Sequence, residues 1–113
     1  MAQTFVGPLS QRQDYAWLRV QRALVNARSG NTAGAIDEAS EAIQILGDDG
    51  DETLRGCGHW ALGEAYAAAG AASAARTAFK HASDLIAPGS KYSASFVEAW
   101  SRVFPADTPA DVR

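Results

Sequence analysis

The sequence predicts an all-α domain of antiparallel helical hairpin repeats, and three observations carry that prediction. About two dozen of the 113 residues are alanine, the residue with the highest helix propensity. The four prolines, Pro8, Pro88, Pro105 and Pro109, leave the stretch from Leu9 to Ala87 without one, and helix interiors exclude proline. Valine, isoleucine and threonine never cluster in strict alternation, so no strand is predicted. The length suits one domain, expected over residues 10–104, with flexible segments at 1–9 and 105–113.

Five helices follow from caps and stops. The first starts at Ser10, with Gln13 as its capping-box partner, and runs to about Ser29 ahead of Gly30. Trp17, Val20, Leu24 and Ala27 recur at helical spacing and give it one apolar stripe. The second follows Asn31–Thr32 and ends at Leu46 before Gly47. Its inner face is Ala35, Ala39, Ala42, Ile43 and Leu46, with Asp37, Glu38 and Glu41 turned outward.

The acidic stretch from Gly47 to Glu52 resists helix, and its carboxylates suit the positive end of the next macrodipole. The third helix spans about Thr53 to Ala69. Gly56, Gly58 and Gly63 each cost roughly 0.5–1 kcal/mol against alanine, which predicts a start delayed to near Cys57. The fourth runs from about Ala72 to Ile86, before Pro88-Gly89. The fifth begins near Ser90 and carries Tyr92, Phe96, Trp100 and Val103 on one face until Pro105. It is expected to cover the apolar face that the last hairpin of an open array leaves wet.

Composition excludes several function classes. With 10 Lys and Arg against 13 Asp and Glu, the net charge is −3, which argues against a general phosphate-backbone binder. No direct nucleic-acid contact is expected. A single thiol, Cys57, closes no internal disulfide. No signal-peptide pattern and no apolar run near 18 residues is present, so a soluble, cytoplasmic protein without a membrane role is expected.

Catalytic and metal patterns are sparse. Cys57-x-His59 with a distant His81 falls short of the four spaced ligands of structural zinc, so neither a metal nor a cofactor is expected. Cys57 and His59, two apart on a helix, do not face each other as a nucleophile pair, and the thiol reads as buried or half-buried. Glu64, Asp84 and Glu98 have no partner that spacing identifies and read by default as solvated surface. Gly56-x-Gly58 lacks a preceding strand and a third glycine. A non-enzymatic protein is expected.

Shifting the chain by 40 positions brings Gly30 onto Gly70, Ala35 onto Ala75, Ala42 onto Ala82, Ala27 onto Ala67 and Ala23 onto Gly63. The shared unit is a helix, a tight glycine turn and an alanine-rich helix, whose small residues let two backbones approach. In the second copy Leu62-Gly63, Tyr66, Gly70, Ala75, Phe79 and Ala82, preceded by Trp60, resemble the tetratricopeptide repeat (TPR) in order and spacing. The first copy keeps Gly30, Ala35 and Ala42 but has Asn26 in place of the tyrosine. The period exceeds the family's usual 34, and the acidic stretch takes up the difference.

The resemblance covers Ser10 to about Pro88 and implies two hairpins plus a C-terminal capping helix. It further implies a protein- or peptide-binding module whose first helices line a concave groove. Carried over, the groove positions are Trp17, Val20, Leu24 and Arg28 from the first copy and Trp60 and Glu64 from the second, with Phe96 and Trp100 added from the fifth helix. Each tryptophan has a rival reading as core between hairpins. Groove positions that hold Lys, Arg and Asn in carboxylate-clamping members hold Val20, Leu24, Trp60 and Glu64 here, so an apolar or amphipathic segment, or a second copy in a homodimer, is the expected partner. The order Trp60-Ala61-Leu62-Gly63-Glu64-Ala65-Tyr66, then Ala74-Ala75-Arg76-Thr77-Ala78-Phe79, then Glu98-Ala99-Trp100 also resembles the C-terminal repeats of some bacterial helix-turn-helix regulators. That likeness implies, as an alternative, a signal-sensing or dimerisation module. A small enzyme is the remaining alternative.

Overall fold

The first helix, α1 (Leu9–Arg28), buries Ala16, Val20, Ala23 and Ala27 at spacings of four, three and four, which keeps one face on the core. The computed structural model describes residues 9–48 and 50–105; the expected flexible segments fall outside these except for Leu9, which opens α1, and Pro105. Trp17 and Leu24, expected at the centre of the stripe, flank it half-buried. Alanines hold the centre, with Ala16 and Ala23 fully buried in the same cluster as Ala39 and Ala42 of α2.

Helix α2 (Thr32–Leu46) follows a turn whose geometry recurs after α3 (Glu52–Ala68). Gly30 takes φ 90° and Gly70 φ 82°, a left-handed conformation that glycine adopts without a Cβ penalty. The Asn31 N–H donates to the Asn26 carbonyl and the Ala71 N–H to that of Tyr66, each at 2.9 Å. These 6→1 bonds are Schellman closures. The 40-residue shift seen in the sequence thus recurs in the backbone of both turns. Asn31 also caps α2, accepting from the Gly34 N–H at 3.2 Å.

The acidic stretch ends in a working cap. Asp51 Oδ1 accepts from the Leu54 N–H at 2.9 Å, and Arg55 Nη1 donates to the Gly47 carbonyl at 2.9 Å. Helix α3 therefore starts at Glu52, before Gly56 and Gly58, and not near Cys57. Both glycines are sites of close approach. A Cβ on Gly56 would lie 2.7 Å from Ile86 Cγ1 and 3.0 Å from the Ile86 nitrogen. On Gly58 it would meet Ile43 Cγ1 at 2.8 Å. Packing offsets the lost helix propensity.

Helix α4 (Ala72–Leu85) ends as Ile86 turns extended and drops into the core. Residues 90–92 form a turn, with Ser93 donating through its backbone N–H and its hydroxyl to the Ser90 carbonyl. Helix α5 (Ser93–Val103) accordingly begins three residues later than expected. No strand occurs among the described residues.

Cross-helix contacts give the directions. Arg12 reaches the Ile45 carbonyl and Arg19 reaches Glu38 and Glu41, so α1 and α2 run antiparallel. Gly56 meets Ile86, His59 meets His81 and Gly63 meets Phe79, so α3 and α4 do too. Trp17 shares a cleft with Leu54, and Arg28 pairs with Glu64, which makes α1 and α3 parallel. Glu38, expected outside, is buried and held by Arg19 and Arg22.

Candidate functional site

The eight residues predicted to line a groove divide into three groups. Val20, Trp60, Phe96 and Trp100 are buried in the core. An open aromatic groove at these four positions is therefore corrected. Helix α5 lays Phe96 against Trp60, with ring centroids 5.8 Å apart, and stacks Trp100 on Phe79 at 5.6 Å. Apolar rings of this size left in water forgo a large burial energy, and α5 removes them from it.

Arg28 and Glu64 are brought together, and the solvated reading of Glu64 is also corrected. Its side chain is only 4% exposed, on a face enclosed by three helices. Arg28 Nε and Nη2 donate to its two oxygens at 3.0 and 2.9 Å, a bidentate pair. The Trp60 indole N–H donates to Oε2 at 2.7 Å, and Arg102 Nη2 to Oε1 at 3.3 Å. One carboxylate thus links α1, α3 and α5. Glu64→Gln keeps an acceptor for Trp60 but turns an amide toward an arginine. Because both arginine side chains are 52% exposed and can rehydrate, the expected loss is about 1–2 kcal/mol, read as a lower urea midpoint at unchanged slope.

Trp17 and Leu24 remain half-buried. Trp17 packs against Tyr92, with centroids 5.1 Å apart and planes tilted by 51°. The two rings border a cleft of about 320 Å3 formed by Asp14 and Trp17 of α1, Asp51 and Leu54 at the start of α3, and Lys91 and Tyr92 ahead of α5. The Lys91 ammonium sits 5.2 Å from the Tyr92 ring centroid. Among these, only Trp17 had been predicted as a site residue. The Asp51 cap was legible as helix-start chemistry. Tyr92, expected on the apolar face of the fifth helix, stands at the cap of α5 and faces the cleft, and Lys91 reaches it from the turn before, which no periodicity reports.

No family model, curated protein or solved structure matches the chain. Its site is therefore read from its own geometry.

Cys57 is buried, and burial together with Asp51 pushes its thiol up to about 12; at neutral pH it is protonated and a poor nucleophile. Among the described residues, no group of three or more His, Cys, Asp or Glu is placed to hold a metal ion. No described helix is long and apolar enough to cross a membrane.

His59 and His81 meet edge to face at 5.1 Å beside a second cleft, of about 380 Å3, with Leu62 and Tyr66. Burial first, then His81 and Arg55, lower the His59 pKa from 6.5. The folded state thus binds the proton less readily than the unfolded chain, so stability is full above about 6.5 and falls as pH drops through that value. Melting curves should show Tm falling on acidification across this range, and less steeply for His59→Leu.

Proposed function

We propose that this protein is a TPR-like, non-catalytic module that binds a protein or peptide segment at the cleft between Trp17 and Tyr92. The observation that carries the reading is this half-exposed aromatic pair, on the side where the parallel first helices α1 and α3 would line a TPR groove. The recurrence of the glycine turn and its hydrogen bonds after 40 residues supports the repeat assignment. With α5 over Trp60 and Phe79, recognition falls to the opposite end of that side. Aromatic side chains with a polar surround are the common anchors of such interfaces.

The test is selection from a random peptide library against the intact protein, followed by NMR of the indole N–H signals. Enriched peptides are expected to shift Trp17 and leave Trp60 and Trp100 in place. Peptides that bind without moving Trp17, or no enrichment at all, would overturn the reading.

Self-association belongs to a different face. Leu18 and Val25, 48% and 66% exposed, lie seven residues apart on the outside of α1. That spacing puts both on one face of the helix, two turns apart, where a second copy of the same helix could cover them. Light scattering is expected to show mass rising with concentration, and Leu18→Glu with Val25→Glu to hold the protein as a monomer.

A further inference from the structure

Aromatic faces and carboxylates converge in the Trp17–Tyr92 cleft, and together they define a ligand chemistry. Asp14 stands one helical turn before Trp17 on α1, and Asp51 stands across the cleft at the start of α3. Against these two negative charges the cleft holds one positive charge, Lys91. Glu52 follows Asp51 in the chain, and Asp48 lies three positions before it. Carboxylates near exposed ring faces favour a cation on both counts, by Coulomb attraction and through the ring quadrupole.

The molecule already places a cation there. The Lys91 ammonium lies over Tyr92, reached from the short turn between Pro88 and Ser93. Lys91 is exposed, and so are Asp14 and Asp51, so the ring face and its counter-charges are open to a cation from outside. Its position shows that the ring face accepts a positive charge at this distance.

We infer that the Trp17–Tyr92 cleft recognises a cationic side chain, an arginine or lysine of the bound segment, with Asp14 and Asp51 as its counter-charges and Lys91 as its internal competitor. The inference rests on the proposed peptide-binding reading and specifies its ligand.

The probe is a capped five-residue peptide with one arginine among alanines, compared with the same peptide carrying neutral citrulline. Binding is followed by titration calorimetry and the Trp17 indole signal. The arginine peptide is expected to bind about tenfold more tightly. Asp14→Asn with Asp51→Asn should abolish that preference, and asparagine keeps the α3 cap intact. Lys91→Ala should strengthen arginine-peptide binding severalfold. A control pair with the same charge change elsewhere, Asp37→Asn with Asp84→Asn, should leave the preference in place. Equal binding of the two peptides would overturn the inference while leaving the peptide-binding reading standing. Equal loss in both double variants would overturn it in favour of general charge attraction. Failure of both peptides to bind would remove the cleft reading itself.

Discussion

Removal of residues 90–113 is expected to unfold the protein or drive it into aggregates. Phe96 and Trp100 lie buried on α5, against Trp60 and Phe79. Aromatic side chains bury about 150–250 Å2 each. At about 25 cal/mol per Å2 the two contribute roughly 7–12 kcal/mol as an upper bound, against a total of about 5–15 kcal/mol for an ordinary domain. The deletion also rehydrates Trp60 and the Phe79 ring and removes Arg102 from Glu64. The truncated chain should bind ANS, lose its near-ultraviolet dichroism and show no cooperative melt. A sharp transition within a few degrees of the full-length value would refute a structural role for α5.

Phe79→Ala is expected to lower stability by about 3–5 kcal/mol, the range for emptying a large aromatic position in a core. Phe79 is fully buried and surrounded by Phe96, Trp100 and Phe104. Its fourth neighbour is Gly63, where a Cβ would stand 3.2 Å from the ring. With glycine opposite, α3 offers no side chain at that position to relax into the void, and the remaining neighbours are large rings packed against one another. Urea unfolding of the two proteins, compared at equal slope, measures the loss. A change below about 1 kcal/mol would mean that the site collapses in a way that its rigid surroundings do not suggest.

The helices and both glycine turns were legible because their causes are local. A glycine after an alanine-rich run, an Asn or Asp ahead of the next one, and proline at Pro88 and Pro105 each act over a few residues. The 40-residue shift was legible for the same reason: it repeats those local signals. What escaped depends on partners far away in the chain. Gly56 and Gly58 looked like helix defects because Ile86 and Ile43, which need their space, are 30 and 15 positions away. Glu64 looked solvated because Arg28 and Arg102 lie 36 and 38 residues off.

The register of α1 shows the other failure. A stripe of large apolar residues and a stripe of alanines, one position apart, compete for the same core. Sequence favours the larger side chains, whereas the folded chain buries Ala16, Ala23 and Ala27. Trp17 was thereby left at the rim of a cleft. Its half-open position could not be distinguished from a core one until α5 had been placed.

Glu64 has one further implication. Through it, the first and last described helices share a single anionic contact, although 74 positions separate Arg28 from Arg102. Any event that pulls Arg28 outward leaves Arg102 with a freer carboxylate, and any loosening of Arg102 does the same for Arg28. Arg28 and Arg102 therefore draw on the same two carboxylate oxygens, and the ends of α1 and α5 are joined by a contact that bypasses the intervening turns.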